Sequence, residues 1–342
     1  MGDRPITAVI VNYRSGDDLG TCLDALLGDD ELLGRVVVVD NGSGDDSLRL
    51  AKEAAGRDGR VEIVALNENV GLAAAVNLVL PSVETPYLAI LNPDTTPQAG
   101  WLGPLVSTLD EDPGVTVACP LVLIEETGEV NSAGQHVHVT GLGFNRLLHA
   151  DPDTIDPEPH EVGGLHGAAF VIRTAALSDL DGWDETGFIY HEDVGLSWDV
   201  WLSGSRVVCV PTSRVLHDYH LTMYPEKLFL LERNRWALLL SHLSIPRLLL
   251  ISPALALTEL MVWGLALVRG VGFLRAKGRA YAWVWREREA ISNWRSRVFG
   301  RPTYQRAALY QHTQWSYPLN QLGILGGERG ESTRQPPGGL PV

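Results

Sequence analysis

Residues 87–94 read YLAILNPD, an apolar run that ends on an acid. Consecutive apolar side chains of this kind predict a strand that is buried on both faces of a sheet. In open α/β sheets ligands bind at the carboxyl edge of the strands, so Asp94 is a candidate for binding a divalent cation and, through the cation, a diphosphate. The alternative is an ordinary turn, because Asn, Pro and Asp are common turn residues.

This stretch ends a regular alternation of strands and helical patterns. The predicted strands of this part cover 6–12, 35–39, 61–66 and 87–91. Their near-continuous apolar sequences predict an α/β fold with a mostly parallel central sheet flanked by helices. We expect 1–120 to form a nucleotide-binding half and 121–225 to complete a first domain over 1–225. The second half has predicted strands over 167–173 and 206–210, a helix over 190–204 and a mobile loop over 150–161.

The C-terminal third has a different composition. The net charge of −15 divides into −24 for residues 1–225 and +9 for residues 226–342. Residues 248–268 contain one charged side chain, Glu259, and eight basic residues with three tryptophans follow up to Arg297. Length alone would allow a membrane span, but basic residues alternating with tryptophan favour a membrane interface. We expect a helical, membrane-associating extension over 226–325 and a disordered tail over 326–342.

The charge pattern also favours one arrangement at the membrane. The basic segment after 268 should lie on the cytoplasmic side, where a body that uses a nucleotide must also lie, and a single crossing would separate the two. An interfacial or re-entrant hairpin at the inner face of the plasma membrane is therefore favoured over two crossings or a buried core helix. We expect a cytoplasmic protein, because no signal-peptide pattern precedes the first strand and three dispersed cysteines fit a reducing compartment. The negative charge argues against nucleic acid as a partner.

Polar residues at other strand ends extend the candidate site. Asp40 ends the second strand and Tyr13 follows the first, so both should reach the same sheet edge as Asp94. A ring and a carboxylate beside a metal-binding acid suit a nucleotide, although Tyr13 could cover the core and Asp40 could cap a helix. Further along, Glu192 and Asp193 open a predicted helix. They are either first-turn acids that the helix dipole favours or a general base for a sugar hydroxyl.

Several short segments occur in a fixed order along the chain. They are VIVNY at 9–13, VDNGS at 39–43, NVGL at 69–72 with Asn77, LNPDT at 91–95, and GWDE at 182–185 leading to HED at 191–193. Together they resemble an inverting family-2 glycosyltransferase of the GT-A fold, in the rhamnosyltransferase-like branch, over roughly residues 5–220. The basic apolar extension is also similar to that of many bacterial members that act at the membrane.

The resemblance implies roles for individual residues. The implied nucleotide-sugar-binding residues are Asn12, Tyr13, Asp40, Gly71, Asn77, Asn92 and Asp94. Asp94 would be the metal-binding acid of an Asp-X-Asp motif whose first acid is here Asn92. His217 would join it on Mg²⁺ or Mn²⁺, with a plain surface histidine as the alternative. Asp193 would be the catalytic base of the 121–225 half, with Glu192 beside it.

These roles imply a metal-assisted single displacement with inversion. Asp193 would deprotonate an acceptor hydroxyl, which attacks the anomeric carbon opposite the nucleotide. By resemblance to the branch, the first candidate donor is deoxythymidine-diphosphate rhamnose. The acceptor would be a lipid-linked or cell-envelope glycan, as in cell-wall polysaccharide biosynthesis. The segment 141–161 would close over the donor, and 163–168 would line the acceptor site.

Three other functions compete with this interpretation. A nucleotidyltransferase normally has a Gly-rich phosphate loop and a lysine after the first strand, and NYRSG at 12–16 has neither. A glycoside hydrolase needs two carboxylates flanking a bond, which would leave Asp40 and Tyr13 without a role. A catalytically inactive, membrane-attached sugar-nucleotide-binding or scaffold protein stays open, because Asn92 replaces the first acid of the metal motif.

Overall fold

The structure is a computed structural model that describes residues 4–28, 31–218, 222–318 and 321. Within these ranges the β-strands are β1 (Ile6–Asn12), β2 (Leu33–Asp40), β3 (Val61–Ala65), β4 (Tyr87–Leu91), β5 (Thr95–Pro97), β6 (Val115–Ile124), β7 (Val130–Ser132), β8 (Gln135–His138), β9 (Gly143–Asn145), β10 (His160–Glu161), β11 (Ala169–Arg173), β12 (Arg206–His217) and β13 (Thr313–Gln314). The α-helices are α1 (Asp18–Gly28), α2 (Ser47–Arg57), α3 (Leu72–Val79), α4 (Leu102–Glu111), α5 (Thr174–Asp179), α6 (Glu192–Leu202), α7 (Pro225–His242), α8 (Ile245–Leu250), α9 (Ser252–Arg269), α10 (Val271–Arg286), α11 (Arg288–Gly300) and α12 (Arg306–Gln311). The tail predicted to be disordered, 326–342, lies outside the described residues.

The central sheet is mostly parallel, as the alternation of elements predicts. Its strand order is β10-β12-β6-β11-β4-β1-β2-β3, with β5 paired to β12 and β7 paired to β6. The strands β3, β2, β1 and β4 are parallel to one another, and β12 is parallel to β6. The strand β11 runs antiparallel between β4 and β6 and joins the two parallel groups. The carboxyl ends of β1, β2 and β4 therefore lie at one edge of the sheet.

Side chains of the central strands alternate between two apolar layers. In β1, Ile6, Ala8 and Ile10 pack in the layer that contains α1, α2 and α4, whereas Val9 and Val11 pack in the layer that contains α3 and α6. This second layer continues into α7, α10 and α11, so the C-terminal extension shares the core of the sheet. Burial of both faces explains why the strands read as continuous apolar runs.

The strand β12 is longer than its predicted range, 206–210. It continues to His217 after a register shift. The added part pairs with β5, which the sequence pattern did not predict, and His217 lies opposite Thr95 in this pairing. The extension brings His217 to the sheet edge that carries Asp94.

The segment between β7 and β11 forms most of one wall beside this edge. A three-stranded sheet has the order β13-β8-β9, and the N–H of Gln135 in β8 donates to the carbonyl oxygen of Gly164 at 2.7 Å. The loop predicted to be mobile, 150–161, contains one turn of 3₁₀ helix at Pro152–Thr154 and ends in β10, which pairs with β12.

The apolar stretch over 248–268 does not form one helix. It is divided between α8 and α9 near Ile251, and Pro253 lies in the first turn of α9. By length and composition α9 could cross a membrane, and 17% of it is buried in the protein. The alternative of a buried core helix is therefore wrong, since most of α9 faces away from the core.

The charge within α9, Glu259, belongs to a network of buried ion pairs. Its Oε1 accepts a hydrogen bond from Arg235 of α7 at 2.5 Å, and its Oε2 lies 2.8 Å from Nζ of Lys277 of α10. Glu232 of α7 also contacts both cations, with its Oε2 2.7 Å from Nη2 of Arg235. Two acids and two bases thus neutralise one another and fix α9 against α7 and α10.

Candidate active site

The carboxyl ends of β1 and β2 form a buried polar cluster. Nδ2 of Asn12 lies within hydrogen-bonding distance of Asp40 Oδ1 (2.8 Å), Ser43 Oγ (3.0 Å) and Ser47 Oγ (2.8 Å). The N-cap of α2 is Asp46, so Asp40 is not the helix cap that the alternative assigned to it. Asn12 instead orients the Asp40 carboxylate at the edge where the nucleoside is expected.

Tyr13 lies at the same edge, directly after β1. Its side chain is half-buried, and the guanidinium carbon of Arg14 lies 5.2 Å from the centre of its ring. The Nε atom of Arg14 donates to the carbonyl oxygen of Ser43 at 3.1 Å. The ring is thus held beside the Asn12 and Asp40 cluster and keeps part of its surface accessible, as a stacking partner for a base requires.

Gly71 makes a close contact between the two halves of the domain. It precedes α3 with φ of 89°, and a Cβ atom there would lie 2.5 Å from the carbonyl oxygen of Phe188. Only glycine combines this conformation with this approach. The carbonyl oxygen of Gly71 also accepts a hydrogen bond from Nδ2 of Asn41 at 3.3 Å. Gly71 therefore sets the spacing between the nucleotide-binding half and the loop before α6.

Asn77 is a predicted nucleotide-sugar ligand whose side chain bonds to the segment around Trp183. Its Nδ2 donates to the carbonyl oxygen of Trp183 at 2.7 Å and to Glu185 at 2.8 Å, and its Oδ1 accepts from the N–H of Trp183 at 2.8 Å. These bonds hold the loop that leads to α6. The structure gives Asn77 a positioning role, and its contact with a nucleotide sugar stays a prediction.

Asp94 and His217 lie together at the edge of the sheet. Nε2 of His217 is 3.6 Å from Oδ1 of Asp94, and Nδ1 of His217 is 3.1 Å from Oδ1 of Asn131. The ring of His166 meets the ring of His217 edge to face, with 5.7 Å between centroids. Asn92, in the place of the first acid, lies beside this group, and its N–H donates to the carbonyl oxygen of Ala168 at 2.8 Å.

The electrostatics of this group suit a cation. Burial alone would raise the pKa of Asp94, but the proximity and charge of His217 outweigh it and hold the pKa below its usual value. Burial lowers the pKa of His166 to about 3, so its ring is neutral at pH 7. Oδ1 of Asp94 is buried, and Nε2 of His217 lies 3.6 Å from it, too far for an ordinary hydrogen bond. A carboxylate oxygen and an imidazole nitrogen at this separation fit Mg²⁺ or Mn²⁺.

The protein alone offers few ligands to such an ion. In the part of the chain that the structure describes, no three or more His, Cys, Asp and Glu side chains are grouped so that they could hold a metal. An ion on Asp94 and His217 would therefore need its other ligands from a bound diphosphate and water. This agrees with Asn92 in place of the first acid of the motif.

The loop before α6 has an unusual backbone. Phe188, Tyr190 and His191 have φ values of 65°, 69° and 66°, in the left-handed region that side chains with a Cβ rarely adopt. Nδ2 of Asn234 on α7 holds the loop by donating to the carbonyl oxygens of Gly187 (2.8 Å), Ile189 (2.7 Å) and Tyr190 (2.8 Å). Strained segments of this kind cluster at functional sites, and this one ends at Glu192.

Asp193 is fixed at the start of α6 by two hydrogen bonds. Nε2 of Gln135 donates to its Oδ2 at 2.8 Å, and the N–H of Val194 donates to its Oδ1 at 2.8 Å. Burial raises the pKa of Asp193, and these bonds oppose the increase only in part. Burial and the charge of Asp193 raise the pKa of Glu192, whose Oε2 is buried and has no hydrogen-bond partner among the described residues. Both carboxyl groups therefore hold a proton more tightly than exposed carboxyl groups do, which is a property of a general base.

A cavity of about 660 Å³ opens between this pair and the C-terminal helices. Asp193, Gln135, His166 and Asn92 form its polar side. Its apolar side is lined by Leu142, Phe144, Leu148, Leu228, Leu231, Met261, Val262 and Leu265. The cavity thus includes part of the predicted acceptor segment, 163–168, and part of the segment predicted to cover the donor, 141–161. Its volume is in the range of sites for small organic ligands.

Comparison with known proteins identifies the family. Residues 7–181 match the family described as Glycosyl transferase family 2, which is about half of the chain. The chain belongs to this family. The resemblance inferred from the ordered motifs is confirmed.

Two curated relatives come from Mycobacterium tuberculosis. A pre-mycofactocin glycosyltransferase is 30% identical over 221 residues, which cover 63% of this chain and 43% of that protein. This chain therefore spans less than half the length of that relative. An N-acetylglucosaminyl-diphospho-decaprenol L-rhamnosyltransferase is 26% identical over 235 residues, which cover 62% of this chain and 75% of that protein.

The solved structures confirm the GT-A glycosyltransferase fold. The structure of GalNAc-T7 with UDP, GalNAc and Mn²⁺ superposes with a TM-score of 0.60 at 18% identity. The match covers 70% of this chain and 48% of that one. The family and fold therefore agree with the curled, mostly parallel sheet described above.

Sequence reasoning did not identify three residues that hold the site. Gln135 binds the Asp193 carboxylate, Asn131 binds His217, and Asn234 binds the strained loop. Gln135 and Asn131 lie in short strands with no distinctive pattern. Asn234 had one signal, because it belongs to the polar run 232–235 inside an otherwise apolar helix.

Proposed function

We propose that the protein is an inverting glycosyltransferase that moves a sugar from a nucleotide-diphosphate donor to an acceptor hydroxyl by a single displacement. The observation that carries the proposal is one cavity that is lined both by Asp193 and by Asn92, two residues before Asp94. Asp94 itself does not line the cavity, but His166 does, and its ring contacts His217 beside Asp94. A donor held at Asp94 and an acceptor in the cavity would therefore be neighbours.

Asp193 is the proposed base. It accepts the proton of the acceptor hydroxyl while the hydroxyl oxygen bonds to the anomeric carbon and the bond from that carbon to the diphosphate breaks. The hydrogen bonds from Gln135 and Val194 hold its carboxylate in place. Its raised pKa makes it a stronger base than an exposed carboxylate would be. Glu192 lies beside it, and burial together with the charge of Asp193 raises the pKa of Glu192.

On the donor side, Asn12, Tyr13 and Asp40 would bind the nucleoside, and Asp94 and His217 would hold Mg²⁺ or Mn²⁺. When bound, the metal supplies positive charge that stabilises the departing diphosphate. The separation of 3.6 Å between Oδ1 of Asp94 and Nε2 of His217 supports this proposal, as does the presence of UDP and Mn²⁺ in the GalNAc-T7 structure.

We further propose deoxythymidine-diphosphate rhamnose as the first donor to test, and a lipid-linked or cell-envelope glycan as the acceptor. The support is the relative named N-acetylglucosaminyl-diphospho-decaprenol L-rhamnosyltransferase, of which the chain spans 75%. The apolar side of the cavity would suit an acceptor that carries a lipid.

The proposed location is the inner face of the cytoplasmic membrane. Exposed apolar side chains cluster on α8 and α9, at Ile245, Leu249, Leu250, Leu257, Leu260, Trp263, Leu267 and Val268. A contiguous exposed apolar surface marks an interaction site, and basic residues follow it in α10 and α11. The ion pairs of Glu259 hold α9 on the protein, which favours attachment at the interface over a lone crossing.

A screen of nucleotide sugars tests the donor site. We expect one donor with Mn²⁺ to raise the melting temperature of the wild type and of Asp24→Ala, a change at an exposed acid on α1, but not of Asp94→Ala. An equal rise in Asp94→Ala would contradict the donor site.

Turnover of the same donor tests the reaction. Asp193→Asn should keep the thermal shift and lose about 100- to 10,000-fold in transfer rate, because it removes the base and keeps the shape. Full turnover by Asp193→Asn would overturn the mechanism. Donor binding without any turnover by the wild type would favour the inactive sugar-nucleotide-binding protein instead.

A further inference from the structure

The cavity beside Asp193 contains a cation that the proposed chemistry does not use. Lys227, near the start of α7, lines the cavity together with Asp193 and apolar side chains of α7 and α9. Among the described residues that line the cavity, it is the one lysine or arginine. Its half-buried side chain places Nζ 5.3 Å from the centre of the Tyr190 ring, in the strained loop that leads to Asp193.

Lys227 has no acidic partner in the described part of the chain. Burial lowers its pKa, and no nearby carboxylate opposes that change. Glu232, the acid of α7 in the same cavity, is already paired with Arg235 and Lys277. A partly buried ammonium group without a counter-ion has lost some of its hydration, and a bound anion compensates for that loss.

The other titratable groups of the cavity do not supply positive charge. Burial lowers the pKa of His191 to about 4, so its ring is neutral at pH 7, and His166 contacts His217 beside Asp94. Lys227 is therefore the point at which an anionic group would bind. Apolar side chains line the same cavity, among them Leu228 and Leu231 of α7 and Met261 and Leu265 of α9.

We propose that Lys227 binds a phosphate group of the acceptor, between the sugar that receives the transferred residue at Asp193 and a hydrocarbon chain that lies along α7 and α9. The inference rests on the proposed function and names its acceptor class, a glycosyl lipid with a phosphate linker. The cavity is lined by a candidate base, a cation and apolar side chains, and such an acceptor offers a sugar, a phosphate and a hydrocarbon chain to them. A cavity of about 660 Å³ holds the head of such a molecule, and the rest of its chain would continue along the exposed apolar surface of α9.

Binding of simple amphiphiles to the full chain tests this subsite without any sugar transfer. The probes are dodecyl phosphate and the neutral dodecyl β-glucoside, each titrated calorimetrically below its micelle concentration. We expect the wild type to bind the phosphate at least about tenfold more tightly than the glucoside, because a charge-assisted bond adds to the same apolar contact. Lys227→Met should remove the difference, and Lys227→Arg should retain most of it.

Lys52→Met is the matched control, because Lys52 is exposed on α2 and far along the chain from the cavity. The proposal would be overturned if Lys227→Met preferred dodecyl phosphate over the glucoside as strongly as the wild type does. It would also be overturned if Lys52→Met lost this preference to the same extent as Lys227→Met. Deoxythymidine diphosphate with Mn²⁺ and inorganic phosphate form two further arms. If Lys227→Met lowers the affinity for deoxythymidine diphosphate or inorganic phosphate while the affinity for dodecyl phosphate stays the same, Lys227 binds the donor or free phosphate, and the proposal is wrong.

The outcome is separable from that of the proposed function. Loss of phosphate preference in Lys227→Met, together with full transfer by Asp193→Asn, would reject the mechanism and keep the subsite. Loss of transfer in Asp193→Asn, together with unchanged amphiphile binding in Lys227→Met, would support the mechanism and reject the phosphate subsite. With a working donor, Lys227→Met should raise the acceptor KM about tenfold and leave the donor KM unchanged.

Discussion

Asp193 illustrates how single contacts tune the proposed base. Burial raises its pKa, and the hydrogen bond from Gln135 partly lowers it. A carboxylate base works only when ionised, so activity is present above its pKa and lost as the pH falls through it. Gln135→Met removes a bond that favours the ionised form and should shift the acid limb of kcat/KM to higher pH.

The control for this prediction is Gln98→Met, since Gln98 is exposed ahead of α4. We expect its acid limb to coincide with that of the wild type. If the acid limb of kcat/KM in Gln135→Met coincides with that of the wild type, the hydrogen bond does not change the pKa of the base.

Gly71 is the residue at which a single methyl group should disturb both halves of the domain. Gly71→Ala forces a Cβ to within 2.5 Å of the carbonyl oxygen of Phe188 at φ of 89°. We expect the free energy of unfolding to fall by more than about 1–3 kcal/mol, which is the usual cost of an unfavourable backbone conformation alone. Gly128→Ala provides the comparison, because Gly128 has φ of 73° and open space around it. Equal losses in urea unfolding would argue against a close contact at Gly71.

Among the elements, α9 depends on its ion pairs for its position. Lys277→Met leaves Glu232 and Glu259 buried with Arg235 as their single cation. Breaking a buried pair in this way costs about 3–5 kcal/mol. Chemical unfolding of the variant should report this loss.

A second ion pair on α10 serves as the control, because it is partly exposed whereas the pairs of Lys277 are buried. Arg279 of α10 pairs with Glu226 of α7 across the same interface, but both side chains are partly exposed. Arg279→Met should cost less than about 1 kcal/mol. Equal free energies of unfolding for Lys277→Met and Arg279→Met would show that the buried network does not fix α9.

The elements also show what the sequence could predict. The strands β1 to β4 were predicted because each is a mostly apolar run between turn residues. Asp40 and Asp94 could be placed from the strand ends alone. The second part of β12 was not predicted, since residues 211–217, PTSRVLH, mix polar and apolar side chains after a register shift. The bonds of Gln135 and Asn234 depend on the packing of distant segments, which no local pattern records.

At the scale of the whole molecule, α8 and α9 present an apolar surface that nothing in the described chain covers. Leu260 and Leu267 are 72% and 69% exposed on α9. Replacing both with aspartate should reduce co-sedimentation with anionic phospholipid vesicles by about tenfold or more, because burial of each leucine contributes about 1.5–3 kcal/mol. Since basic residues add to the attraction, binding by the wild type should weaken as salt is raised.

Leu78 is the control for this surface. It is 58% exposed on α3, away from α8 and α9 in the chain. Leu78→Asp should sediment with vesicles like the wild type. Binding that survives the changes at Leu260 and Leu267 would exclude α9 as the attachment surface.

The family match ends at residue 181, whereas Lys227 and the part of the apolar cavity wall that α7 and α9 form lie beyond it. The edge that would bind the nucleotide and the wall that would select the acceptor are therefore encoded in separate stretches of one gene. If the proposed function holds, substitutions in residues 225–269 could change the acceptor without altering the strand ends that would bind the donor.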